Sequence, residues 1–519
     1  MNLFLKPFVD ELKILQDRGF QCKFYGSEVQ VVVKVHLLLM ILDTPAKSPC
    51  QCRKSYNAEF GCPYCLNKGL RIKVGDGTAR VYLGGVIEPR TQKMHKEHLK
   101  IVMSTGEAYE GVAGPPVLML LYKTVDIVLS FVPEYMHAGP LGVVKCFTEA
   151  WFSTKYHKKP FYLGNKKETF NKRMKSIQPT SEITRLPTTY GEDMKASQLK
   201  NIAIYYSLPC LAGLMEQKYY DHWFLFVYGL TLCLRDRVSA DDRRRAKQAF
   251  DKFADGIEEL YGREFKRFNV HLFEHITEYV ELYGALWAWS AFYFETFNGV
   301  LAKCYHGTQH VPEQLVKIAD RWAHLKNEAH IFNSPECDPK VTKFFLELTT
   351  DCNITRIIEH GNDLRVCTPG KTVVLSPSQK VVVEDTINDS VDDECVYYQR
   401  FIYKRRVFTT QSYNRAENRI NHFVSTTHGD LLKITNLVCV KPRTSAKERY
   451  LVLGAKLVET GDKLCEYDGF DSNDFSRIVV ENPQIVCRDY TSIQDKFICI
   501  TMENSKLCLV PIVNTMETD

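Results

Sequence analysis

Leu5, Phe8, Leu12 and Leu15 recur at three- and four-residue steps with Asp10, Glu11 and Lys13 between them. That is the period of an amphipathic helix over residues 2–19, closed by Gly19. Residues 31–42 follow as a nearly continuous apolar run broken only by Lys34 and His36. The run is too short to cross a membrane, and its β-branched start predicts a buried strand. Asp43 stands where that strand ends, with Pro45 just after it. Residues 71–115 are polar and glycine-rich, a pattern for loop with short strands. Residues 117–131 are apolar with Lys123 and Asp126 inserted, and Pro133 stops them.

Residues 195–305 carry helical periodicity, with segments at 203–215, 222–235 and 240–260. Ser239, then Asp241 and Asp242, mark the start of the third. From about residue 353 the period changes to that of strands. Such runs fall at 371–375, 380–383, 431–440, 450–457, 478–480, 496–502 and 507–513, with an acidic linker at 384–394. Turns at Gly429 and Gly461 separate some of them, which predicts a small β-barrel or sandwich.

Composition narrows this little. The 519 residues suggest several domains, and 45% hydrophobic with 25% charged is ordinary for globular protein. A net charge of +5 is weak, so any nucleic-acid surface has to be local. Eighteen scattered cysteines, without the order of a signal peptide before them, point to free thiols and metal ligands rather than a disulfide framework. No apolar run reaches the ~18 residues of a membrane span.

The chemistry concentrates in a few places. Cys62-Pro-Tyr-Cys65 supplies two thiolates at metal-ligand spacing. An acid at a strand end followed by such a half site suggests a metal-dependent phosphoryl-transfer core of ribonuclease H type, although Asp43 alone reads as a turn former. His271 and His275 lie one helical turn apart on one face, good metal geometry that also occurs incidentally. Glu295 ends the aromatic run from Trp287, where an isolated acid is costly unless paired or metal-bound. Glu134 and His137 share a helical face, a pairing common in surface contacts. Residues 155–175 hold Lys155, Lys158, Lys159, Lys166, Lys167, Lys172, Arg173 and Lys175 against the single acid Glu168, with Phe161, Tyr162 and Phe170 among them. That is either a solvated loop or a phosphate-contacting patch.

Several stretches, in order, resemble the transposases of CACTA (En/Spm-type) DNA transposons and their animal relatives. They are the helix at residues 2–12, Asp43-Thr-Pro-Ala46, Gly61-Cys-Pro-Tyr-Cys65, Tyr135-Met-His137 with Leu141-Gly-Val-Val-Lys145, Lys195-Ala196, Tyr205-Tyr-Ser-Leu-Pro209, His271 with His275, and Ser290-Ala-Phe-Tyr-Phe-Glu295 with Asn298-Gly299. The resemblance covers roughly residues 1–320. It implies a DDE core in which acids hold two Mg²⁺ or Mn²⁺ ions for DNA cleavage and strand transfer. Asp43 would be the second acid and Glu295 the third. Cys62, Cys65, His271 and His275 would bind a structural zinc ion. The rival is a four-cysteine knuckle of Cys50, Cys52, Cys62 and Cys65, whose first pair is closer than knuckles favour. In this family the first acid lies on a strand before the helix at residues 2–19, which the sequence does not contain, and Glu134 stands where Asp is usual.

The expected fold is therefore α/β: a partial RNase H-like core with a large α-helical insertion, plus a C-terminal β-rich domain. Its divisions fall at 1–70, 71–194, 195–350 and 351–519. The expected function is that of a transposase-derived, nuclear, DNA-binding protein that keeps the zinc site but lacks strand transfer. The alternatives are an active cut-and-paste transposase with upstream sequence restored, and a zinc-stabilised interaction module without DNA chemistry. DNA is the expected partner. An unpaired edge at residues 31–42 leaves self-association open.

Overall fold

The computed structural model describes the chain except residues 24–28, 85–87, 192, 333, 335, 350–356, 361–362, 416–417, 446, 503–504, 515 and 518–519. It forms two compact units. One comprises Met1–Ala291, Val458–Val480 and Phe497–Asp519, the other Phe292–Leu457 and Glu481–Lys496.

In the first unit the opening helix spans Asn2–Asp17 and buries Val9 and Leu12 against Leu118, Leu121, Val125 and Phe131. The strand expected over residues 31–42 forms only at Gln30–Val33, paired antiparallel with Phe20–Lys23. Beyond Val33 the chain has no continuous ladder. Its main-chain bonds are Val35 N–H to Leu15 O and Met40 N–H to Ser130 O. Val35 and Leu37 pack on the core while Leu38 is 64% exposed. The run therefore alternates between core and solvent, because it lacks the cover on both faces that a buried strand needs.

The helical part follows the sequence pattern more closely. Ala196–Asn201 continues through a π-helical turn, Ile202–Tyr206, into Ser207–Leu211. Gln217–Cys233 is apolar almost all round and buried from Tyr219 onward, apart from Asp221 at its polar start. A helix of that kind can only be central. Ala240–Leu260 starts where Ser239 and Asp242 form a capping box, with each side chain bonded to the other's main-chain N–H. Phe268–Tyr283 packs beside it, with Phe250 and Phe273 rings 5.0 Å apart.

The second unit opens with the helices Phe292–Ala302, Val311–Phe332 and Pro339–Thr349. It includes a four-stranded antiparallel sheet in the order Arg406–Thr409, Arg400–Tyr403, Leu364–Cys367, Ile357–His360. A strand expectation fails in this unit too. Residues 380–383 lie inside a helix, Pro377–Ile387. Ser376 and Gln379 form a capping box, and Pro377 takes the first helical position, which its fixed φ suits. These local signals outweigh the strand preference of Val381, Val382 and Val383. The expected acidic linker at 384–394 is likewise replaced by the end of this helix, a left-handed cap at Asn388 and the start of strand Glu394–Tyr398.

In the C-terminal region six strands close into a β-barrel. Their order is Phe423–Thr426, Ile493–Thr501, Leu507–Pro511, Arg477–Asp489, Arg449–Glu459 and Leu431–Val440, and the last pairs again with the first. Of the two β architectures the pattern allowed, the barrel is the one formed. Closure removes the open edges that alternating strands otherwise present.

Candidate metal centre and adjoining cleft

The Cys62–Cys65 loop is fixed from beneath by two buried guanidinium groups. Arg90 Nε donates to the carbonyls of Cys62 (3.0 Å) and Cys65 (2.8 Å), and its Nη2 to Phe60 O. Arg53 Nη2 donates to Phe60 O and Cys62 O, both at 3.3 Å. The tight loop has no helix or sheet to satisfy these carbonyls, so side chains do it. Both sulfurs are buried.

The facing wall is the helix Phe268–Tyr283, which buries His271 and His275. Cys65 Sγ lies 3.2 Å from His271 Nε2, Cys62 Sγ 3.7 Å from His275 Nε2, and the two Nε2 atoms are 3.3 Å apart. All four ligand-type atoms fall within 4.8 Å of one another. Tetrahedral ligands about 2.0–2.3 Å from one ion would sit roughly 3.3–3.8 Å apart, so this buried group could hold a metal ion. Neither Cys50 nor Cys52 belongs to it. Cys52 Sγ is instead 3.5 Å from Asn2 Oδ1 and from Pro115 O. Glu274 Oε2 sits 2.5 Å from His271 Nδ1, which turns Nε2 toward the sulfurs. Tyr82 stacks on the His271 ring at 4.5 Å.

Electrostatics favour a thiolate here. Burial opposes ionisation of Cys62, but the Cys65 thiol and the His271 and His275 imidazoles overcome it, and the Cys62 thiol is held well below its usual range. The proton stays with Cys65, whose pKa is driven up by its bond to Cys62 and then by burial. His271 rises to about 9: burial opposes its charge, but Cys62 and Glu274 outweigh that. A dication bound by all four groups displaces both the Cys65 thiol proton and the second proton of His271.

Beside the metal centre lies a cleft of about 500 Å³ lined by Asp43, Arg80, His137, Arg267 and Asn269, among others. Asp43 caps the helix Thr44–Cys50, accepting from Ala46 N–H at 2.7 Å. One turn on, the buried Lys47 donates to Tyr64 OH (2.5 Å) and Val132 O (2.6 Å). It thus joins the Asp43 helix to the middle of the cysteine loop. Burial lowers the Lys47 pKa to about 8. Arg267 and Asn269 begin the same helix that carries the two histidines.

Glu134 is buried and fully engaged. Oε1 accepts from Met136 N–H and Ala291 N–H, Oε2 from His137 N–H and His137 Nδ1 at 2.7 Å. Its four acceptor positions are filled, so it fixes His137 at the cleft and has no lone pair left for a metal. Glu295 is exposed on Phe292–Ala302, in the second unit, whereas Asp43 belongs to the first.

The basic segment divides by role. Lys155, Lys158, Lys159, Lys172 and Lys175 are exposed. Lys166 bonds Leu214 O, Arg173 bonds Cys210 O and Ala212 O, and Lys167 lies over the Tyr190 ring. Phe161 and Phe170 are core residues, at 2% and 1% exposure, not faces for stacking bases. Among the described residues, no helix is long and apolar enough to cross a membrane.

Sequence reasoning missed Arg53, Arg90, Lys47 and Glu274. Only Glu274 left a readable signal, three residues after His271 in His-x-x-Glu-His. Neither a protein-family model nor a curated protein matches this chain.

Proposed function

We propose that this is a transposase-derived, DNA-binding protein of the nucleus. In this reading Cys62, Cys65, His271 and His275 hold a structural zinc ion, and the Asp43 cleft is the remnant of a DDE active site within a partial RNase H-like core. One observation carries it: two half-sites more than 200 residues apart meet in a single buried group, the arrangement the resemblance implies. Two thiolates and two imidazoles suit zinc, and four protein ligands close the site to water. That argues against a hydrolase built on His-x-x-Glu-His, which needs an open position. Strand transfer is not expected of these residues. The resemblance assigns them two acids of the three, and the Asp43 carboxylate is engaged as a helix cap. Two metals held by fewer acids neutralise the developing phosphate charge poorly. Exposed lysines of residues 155–175 supply the DNA contacts.

The test is threefold on purified chain: metal content, duplex binding across a salt series, and nicking of supercoiled plasmid with Mg²⁺ or Mn²⁺. The reading expects one zinc per chain, salt-sensitive binding and no nicking. Nicking lost in Asp43→Ala and Glu295→Ala would establish the active transposase instead. Zinc without any duplex binding would leave the interaction module.

A further inference from the structure

Of the residues after the last barrel strand, Val513, Asn514, Met516 and Glu517 are tied to helical parts of their own unit or to one another. Val513 N–H donates to Tyr205 OH at 3.3 Å, and Asn514 Nδ2 to Leu234 O, the end of Gln217–Cys233, at 3.0 Å. Asn514 Oδ1 turns the chain by accepting from Met516 N–H and Glu517 N–H, at 3.3 and 2.9 Å. The turn delivers Glu517 into the interior. Its Oε2 pairs with Lys200 Nζ at 3.2 Å and accepts from Tyr135 OH. The Lys200 and Glu517 side chains are 6% and 1% exposed, and Tyr135 is wholly buried.

An ion pair this deep is a poor source of stability compared with apolar packing, but losing one partner strands a charge. It selects one occupant, a chain bearing a carboxylate at the right place. The fit is incomplete, because Glu517 Oε1 is buried without a hydrogen-bond partner among the described residues. An unmet acceptor weakens the hold of this segment, so it can leave. Its position gives leaving a consequence. Tyr135 begins the single-turn helix Tyr135–Ala138, which two residues on carries His137 into the Asp43 cleft.

We propose that Lys200 and Tyr135, with Tyr205 and the Leu234 carbonyl, form a receptor for an acidic linear peptide. Its resident ligand is the chain's own Val513, Asn514 and Glu517, parts of a detachable strap that sets His137 in the neighbouring cleft. This does not depend on the chain binding DNA or zinc.

The experiment uses the full chain, wild type and Glu517→Gln, with a labelled synthetic peptide of residues 511–519. Anisotropy should show the peptide binding the Glu517→Gln chain, whose own strap is weakened, and not the wild type, whose receptor is filled. A peptide carrying the same Gln should bind about tenfold more weakly or worse. The His137 ring resonances should move in Glu517→Gln and return when the acidic peptide is added. If neither chain binds the peptide, or the Glu and Gln peptides bind alike, the receptor is refuted. Unchanged His137 resonances refute the link to the cleft. Should Glu517→Gln fail to fold, a chain ending at Ile512, refolded with and without peptide, decides: recovery of the folded signal only with the acidic peptide supports the receptor, and its failure overturns it.

Discussion

Each residue around the metal centre has a separable job. Cys62→Ser removes a thiolate from a closed ligand set, so metal content should fall from one per chain toward zero and the melting temperature with it. Elemental analysis with a thermal melt reads both. Glu274→Gln keeps all four ligands but weakens the partner of His271 Nδ1. Metal affinity should drop roughly 10–100-fold with the fold intact, measured by competition with a chromophoric chelator. Lys47 makes a pH prediction whose sign can be worked out. Folded, it titrates near about 8; unfolded, near the ordinary lysine value of about 10.4. Between those values the unfolded chain binds the extra proton, so stability rises with pH through that window by up to about 3 kcal/mol. Below pH 8 the full cost of the buried charge is present. In Lys47→Met this part of the slope should vanish, as denaturant midpoints from pH 7 to 10.5 would show.

Among elements, the helix Phe268–Tyr283 couples the two sites. Its histidines face the cysteine loop, and its first turn faces the Asp43 cleft. The turn Gly139–Val144 packs on it so closely that a Cβ on Gly142 would lie 2.5 Å from Asn269 Nδ2 and 2.9 Å from Asn269 Cβ. Gly142→Ala must displace Asn269 and should destabilise by roughly 1–3 kcal/mol. Denaturation measured alongside metal content distinguishes this from metal loss, because all four ligands remain. Capping gives a smaller effect. Ser239→Ala removes the cap on Ala240–Leu260 and should cost about 1 kcal/mol in the same assay.

For the whole molecule, the basic segment sets the expectation. Reversing Lys155, Lys158, Lys159, Lys172 and Lys175 to Glu should weaken duplex binding uniformly across sequences. It should also flatten the salt dependence, by close to one unit of slope for each phosphate that is no longer neutralised. Equal binding by this variant and wild type would remove the segment from the interface. Substituting Lys166 or Arg173 is a worse test, because their bonds to Leu214 O, Cys210 O and Ala212 O hold the fold.

The sequence alone determined what depends on near neighbours. The helix at Ala240–Leu260 was legible because its cap, first-turn acids and period agree within a few residues. The strand Leu431–Val440 was legible from its β-branched run, and the ligand types from cysteine and histidine spacing. Tertiary structure decided what depends on distant partners. Gln30–Val33 stops short because a strand exists only as far as its ladder does. Residues 380–383 are a different case: near neighbours, Ser376, Pro377 and Gln379, start a helix there, a signal present in the sequence but masked by the valine run. The buried group that could hold a metal ion draws its second pair from more than 200 residues away, and that pair is His271 and His275, not Cys50 and Cys52. Spacing sets which ligands share a loop or a helical turn; only packing sets which loop meets which helix. Arg53, Arg90 and Lys47 were invisible for the same reason, since their partners are carbonyls and a hydroxyl that the fold alone brings within reach.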